Sequence, residues 1–257
     1  MYLPDIRNRF IGIIVPVLLL AAWYLVSVKE LFSPQLLPPP GQVFDTLKDM
    51  IASGELVQNL RVSLLRVSAG FLLGATLGFL LGTIMGFYPV AEEYIAPLFN
   101  VVRQVPTIAW LPFLIVLFGI DELFKVTFIA LGALIPMALK TWEGIKGVPA
   151  TYVEVVRVFE FRPCRLLGKV IIPSALPSIL VGLRLSLSEA WMLAIGAELV
   201  AASVGIGNVM TVARRLFQTD VVLVGVFVIA VTGFVMDSGL VFLEKRFLGW
   251  RGTASYH

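Results

Sequence analysis

Lys140–Pro177, KTWEGIKGVPATYVEVVRVFEFRPCRLLGKVIIPSALP, decides the fold, because it is a charged interruption in an otherwise apolar chain. It holds six basic residues, Lys140, Lys146, Arg157, Arg162, Arg165 and Lys169, and three acidic ones, Glu143, Glu154 and Glu160. Apolar runs long enough to enter a bilayer flank it on both sides. The stretch reads as a structured cytoplasmic loop.

Composition places this loop in an integral membrane protein. Of 257 residues 58% are apolar and only 14% charged, and the mean hydropathy is +0.92, far from the averages of soluble domains. The net charge of +3 does not argue for nucleic acid, because the basic residues sit at the ends of apolar runs, where they set topology. One cysteine, Cys164, excludes an intrachain disulfide, and the single histidine is His257. No metal centre and no bound cofactor are expected.

Upstream of the loop, Phe10–Val28 is an uncharged run and forms a first transmembrane helix (residues 10–28), too long for a typical signal peptide. Residues 29–61 are an extracytoplasmic connector, with proline-rich LFSPQLLPPPGQV and a short amphipathic helix over Val43–Met50. The second span, 67–91, carries Gly70, Gly74, Gly78, Gly82 and Gly86 at four-residue intervals. That register lays a flat strip along one helix face, where a neighbouring backbone approaches closely. A third span, 94–120, holds Pro106 and Pro112 and is expected to be broken or bent. The fourth, 122–140, leads into the loop, 141–177. Downstream, spans five and six occupy 178–201 and 221–243. The expectation is one all-α membrane domain over residues 1–257, with six transmembrane helices.

An even number of spans puts both termini on one side. With the termini in the cytoplasm, Arg7, Arg9, Arg103, the six basic loop residues, Lys245, Arg246 and Arg251 lie inside. Lys29, Lys48, Arg61, Arg66, Lys125, Arg214 and Arg215 lie outside, and Arg184 is left in the membrane. The asymmetry favours cytoplasmic termini.

Within the loop, Pro149 suits a first helical turn, after which Tyr152, Val153, Val156 and Phe159 share one side while Glu154, Arg157 and Glu160 decorate the rest. Pro163 starts a second short helix, and Pro173 and Pro177 break the path back into the membrane. Such a unit lies on the membrane surface or docks into a groove on a soluble partner.

VEVVRVFEFRPCRLLGKVIIPSALPSILVGLRLSL resembles the EAA loop of bacterial ABC-importer permeases, whose pattern is EAA, three residues, G, nine residues, then I-x-L-P. The corresponding residues are Glu154-Val155-Val156, Glu160, Val170, Ile172 and Pro173, so both alanines are valine and Glu160 stands at the glycine. LLPPPGQV, RQVPTIAWLPFLIVLFGIDE, AELVAASVGIGNVM and LFQTDVVLVGVFVIA extend the likeness to the nitrate/sulfonate/taurine branch, nearest the aliphatic-sulfonate permeases. The resemblance implies the type I importer permease fold in the bacterial cytoplasmic (inner) membrane. It also implies a second permease copy, two ATP-binding subunits carrying ATP and Mg, and an extracytoplasmic substrate-binding protein. Docking of the ATPase would fall to Tyr152, Glu154, Val155, Val156, Arg157, Phe159, Glu160 and Pro173. Import of an aliphatic sulfonate is the leading expectation, followed by taurine, then nitrate or bicarbonate.

The chain has no G-x-x-x-x-G-K-[ST] loop, so it is not expected to hydrolyse ATP or to be an enzyme. A secondary anion transporter is the alternative of a different class; it would call for an internal repeat, and none is evident. On span five, Arg184, Ser188, Trp191, Ile195 and Glu198 form one stripe at helical periodicity. Arg184, Ser188, Trp191, Met192 and Glu198 are candidates for the translocation path or gate, with Trp191 and Met192 at a constriction. Glu189 points elsewhere and is assigned to the bundle or dimer interior with a hydrogen-bond partner. Asp237 is expected to pair with a residue of span five.

Overall fold

The computed structural model describes residues 6–29, 31–33, 35–152 and 163–247. Its helices are α1 (Ile6–Val28), α2 (Pro40–Ala52), α3 (Glu55–Phe87), α4 (Pro89–Val102), α5 (Leu111–Phe118), α6 (Glu122–Lys146), α7 (Pro163–Leu166), α8 (Ile172–Ala201), α9 (Ile206–Arg215) and α10 (Thr219–Phe247). A 3₁₀ turn, Thr107–Trp110, precedes α5, and a π-helical turn, Leu167–Ile171, joins α7 to α8. There is no strand among the described residues.

The bundle is organised by α3 against α6 and α6 against α8. The glycine strip is the reason α3 and α6 come so close. A Cβ on Gly70 would stand 2.5 Å from Ile129 Cγ2, one on Gly78 2.5 Å from the Leu134 carbonyl oxygen, and one on Gly86 2.8 Å from Ile145 Cβ. At Gly74 and Gly82 it would strike the backbone carbonyls of Ala130 and Ala138. Glycine costs a helix about 1 kcal/mol relative to alanine, and here the close approach of two backbones offsets that cost. The α6–α8 seam uses the same device more sparsely: a Cβ on Gly144 would stand 2.7 Å from Ser178 Cβ, and one on Gly182 2.8 Å from Lys140 Cβ.

Among the described residues four helices are long and apolar enough to cross a membrane, and α4 with the Thr107–Phe118 segment makes a further pair bent by 86°. Ile14–Val28 is a shorter apolar helix. The break expected in residues 94–120 thus lies between Val102 and Thr107, where Pro106 precedes the 3₁₀ turn.

Several helix ends differ from those read from hydropathy. α3 begins at Glu55 and ends at Phe87, not at 67 and 91, because Arg66 finds partners inside the bundle and Pro89 starts a separate helix. Glu122 and Lys125 form the first turn of α6. α6 then runs on through Lys140 to Lys146, since Lys140 and Glu143 pair with each other at 2.7 Å. Downstream, Pro173 and Pro177 do not break the chain. Proline has no N–H to give, and the π turn followed by a proline in the first turn of α8 absorbs that loss without ending the helix. The segment between α6 and α7 is 147–162, of which 150–152 are helical and 153–162 lie outside the described residues. α10 extends to Thr219–Phe247.

At the bundle end bearing the 147–162 segment, Glu92 of α4 accepts hydrogen bonds from Lys146 Nζ (2.7 Å) and Trp142 Nε1 (3.2 Å). At the opposite end the proline-rich connector folds back on α1, with Trp23 Nε1 donating to Pro38 O (3.1 Å) and Ser27 Oγ to Leu37 O (3.0 Å).

Candidate functional site

A groove of about 1170 Å³ lies between the outer face of α8, the middle of α6 and the break after α4. Its walls are mostly apolar, and Arg103, Gln104, Thr107, Ser188 and Glu189 bring polar groups to it. The position of the groove follows from the break: where Val102–Thr107 leaves helical geometry, the chain turns away from α8 and leaves its face uncovered. Met192, 61% exposed, lies on that face. Ser188 Oγ donates back to the Arg184 carbonyl at 3.1 Å. Glu189 is half-buried and accepts no hydrogen bond among the described residues.

The stripe proposed along span five is split by the packing. Arg184 pairs with Asp237 of α10 through Nε to Oδ1 (2.5 Å) and Nη2 to Oδ2 (2.6 Å), a two-point bridge beside the groove. This is the partner anticipated for Asp237. Trp191 belongs to the core: it is buried among Val67, Ile195 and Val228, and its Nε1 donates to Ile229 O at 3.2 Å. It also reaches the wall of the groove beside Met192, its indole held toward α10 by apolar contact and an acceptor there.

Glu198 is no gate. Its carboxylate is fully buried and receives Ser63 Oγ (2.8 Å), Arg66 Nη1 (2.8 Å) and the Gly207 N–H (3.0 Å). Arg66 divides its remaining donors between Glu122 (2.7 Å from both Nε and Nη2) and the Val204 carbonyl (2.6 Å). Buried Lys125 donates to Glu122 at 2.8 Å. Two cations and two carboxylates thus close a neutral cluster joining α3, α6, α8 and the turn before α9, the arrangement that makes buried charge tolerable. The same turn is cut to fit the carboxylate. Gly205 has φ 125, its N–H donates to Asn59 Oδ1 (2.8 Å), and a Cβ there would fall about 2.5 Å from the Glu198 oxygens.

Arg66, Lys125, Ser63 and Asn59 escaped the sequence reading as members of this site. A signal was present: Asn59, Ser63 and Arg66 recur at helical spacing and so share one face of α3. Of the candidate docking residues, Tyr152 is exposed on a helical turn that begins after Pro149, and Pro173 is partly buried at the start of α8. Glu154, Val155, Val156, Arg157, Phe159 and Glu160 lie outside the described residues. Among the described residues no group of three or more His, Cys, Asp or Glu side chains is placed to hold a metal ion.

Residues 74–249 match the family described as binding-protein-dependent transport system inner membrane component. The chain belongs to this family. It is a multi-pass inner-membrane permease component of an ABC importer rather than an enzyme, ATP hydrolysis residing on a separate subunit. It is 41% identical over 242 residues to the putative aliphatic sulfonates transport permease protein SsuC of Bacillus subtilis (strain 168), covering 94% of this chain and 88% of that protein. SsuC of Escherichia coli (strain K12) is 40% identical, with 94% and 91% covered. The taurine transport system permease protein TauC of the same strain is 34% identical, with 91% and 87% covered. Among solved structures, the inward-facing MetNI methionine ABC transporter superposes with a TM-score of 0.54 at 18% identity, over 69% of this chain and 92% of that one. That likeness is one of fold.

Proposed function

We propose that this permease moves a small organic anion into the cytoplasm, an aliphatic sulfonate first, with transport driven by ATP and Mg on two partner subunits. Two copies of the chain, each one domain over residues 1–257, enclose the path between them, and both termini face the cytoplasm. The observation that carries the substrate class is the 40–41% identity to two sulfonate permeases over 94% of the chain. The groove chemistry is compatible with it. Arg103, Gln104, Thr107 and Ser188 bring donors suited to a sulfonate oxygen, and Met192 and Ile135 bring apolar surface suited to an alkyl tail. Arg184, Ser188 and Met192 flank the path in this reading, and a basic group of the second copy neutralises Glu189.

ATPase docking is assigned to residues 150–173, with Tyr152, Glu154, Val155, Val156, Arg157, Phe159, Glu160 and Pro173 as contacts. Lys146 and Trp142 hold Glu92 at the root of this segment, which supports transmission of its movement into α4. Taurine is the second reading, favoured by the 34% identity to TauC. Reconstitution with the ATPase and binding protein, followed by uptake of labelled ethanesulfonate in competition with taurine, tests the substrate. Glu154→Lys with Arg157→Glu is expected to abolish uptake and ATPase coupling while the permease stays in the membrane. Undiminished uptake would remove the docking assignment, and uptake by the permease alone would point to a secondary carrier.

A further inference from the structure

At the end of the bundle opposite the 147–162 segment, the corner between α9 and α10 carries Arg214-Arg215-Leu216-Phe217-Gln218, every residue of it exposed. Phe217 has φ 58, the one positive φ of a non-glycine residue among the described residues. Its N–H donates to Arg214 O at 3.3 Å and that of Gln218 to Ala213 O at 2.9 Å. This is the helix ending in which glycine usually takes the left-handed position. A phenylalanine there accepts backbone strain that glycine would not, and its ring, 80% exposed, returns no packing to its own subunit. Leu216 beside it is 60% exposed. Both features disfavour phenylalanine for folding, so a use outside the subunit is the remaining explanation.

We infer that this corner is the handle by which the soluble substrate-binding protein grips the permease, its surface supplying an apolar socket for Phe217 ringed by carboxylates. The charge follows from Arg214 and Arg215, which make no ion pair among the described residues. Their place at a helix C-terminus favours cations in any case, but it does not account for the ring. The corner is held rigidly. Thr219 Oγ1 donates to Gln35 O (2.6 Å) and Thr46 Oγ1 to Asp220 Oδ2 (2.7 Å), tying it to the connector and α2. Beside it opens a cavity of about 400 Å³, with apolar walls that include Val209 and Val212 and polar groups that include Glu55, Gln58 and Gln218. Glu55, Gln58 and Gln218 stand exposed on its rim, and these polar groups favour a soluble protein over lipid. A rigid aromatic presented with two arginines is the composition of an interface anchor.

The inference rests on the importer reading above, and the test separates the two. In the reconstituted transporter, the cognate binding protein loaded with ethanesulfonate is titrated while ATPase activity is followed. F217G is expected to melt no lower than wild type, yet to need about thirtyfold more binding protein for half-maximal stimulation, with the maximal rate recovered at saturation. R214E/R215E is expected to weaken stimulation and flatten its dependence on salt. A photo-crosslinking amino acid at position 217 is expected to join the binding protein. An unchanged titration for F217G, or crosslinks only to lipid or to a second permease copy, would overturn the assignment. If wild type shows no stimulation by any binding protein, the importer reading fails, and the handle with it.

Discussion

The α3–α6 seam predicts that adding one methyl group will have opposite effects at two glycines. In Gly74→Ala the new Cβ meets the carbonyl group and Cα of Ala130, main-chain atoms of α6 that cannot rotate away. Alanine brings a helix gain of up to about 1 kcal/mol, while forcing two packed backbones apart costs about 1–3 kcal/mol. The net is a loss of about 1–2 kcal/mol, or roughly 2–8 °C in Tm for a chain of this size. In Gly239→Ala, within α10, nothing lies within 4 Å of the added carbon, so only the helix gain remains and Tm should rise by a few degrees at most, about 1–4 °C. Gly86→Ala should fall between them, because its new carbon meets Ile145 side-chain atoms at 2.8 Å or more and no backbone atom of α6. Thermal unfolding of the three variants in one detergent, followed by fluorescence, gives the order directly. G74A melting at or above G239A would refute the argument that close backbone approach sets the strip.

Glu198→Ala should destabilise the permease by about 3–5 kcal/mol, since Arg66 loses a buried partner; low yield and a depressed Tm beside a well-behaved E198Q would express it. Gly205→Ala places a Cβ against the Glu198 carboxylate at a φ of 125, and a loss of about 1–3 kcal/mol is expected. The double variant E198A/G205A should lose less than the sum, and strict additivity in melting would argue against the fit. Arg184→Ala should cost no more than about 1 kcal/mol of stability, the bridge to Asp237 being partly exposed, yet lower uptake; recovery in R184D/D237R is the readout that identifies the bridge as the cause.

Much of this architecture was legible because its physics is local. Five glycines in register predict a close helix contact without any knowledge of the partner, and α6 is that partner. Prolines at 106 and 112 predict a break, and one occurs between Val102 and Thr107. Helix ends were less legible, because hydropathy reports what enters hydrocarbon and not where backbone hydrogen bonding stops. Arg66 looked like the edge of a span and lies within a helix, its charge met by Glu122 and Glu198 from distant parts of the chain. For the same reason Glu198 resembled a gate: a lone carboxylate in a span has no visible partner until the fold brings Ser63, Arg66 and Gly207 to it. Trp191 keeps to its helical stripe beside Ser188, but periodicity could not show that its indole would be buried with an acceptor on α10.

The glycine strip has a mechanical consequence. Most soft helix contacts yield because side chains change rotamer, and a contact made of backbone on backbone has no rotamers to change. α3 and α6 therefore behave as one stiff beam, running from the root of the 147–162 segment, where Ile145 faces Gly86, to the Arg66–Glu122 pair at the far end. A push at one end of such a beam reaches the other almost undiminished, and whatever gives way when the transporter changes shape must do so beside the beam and not within it.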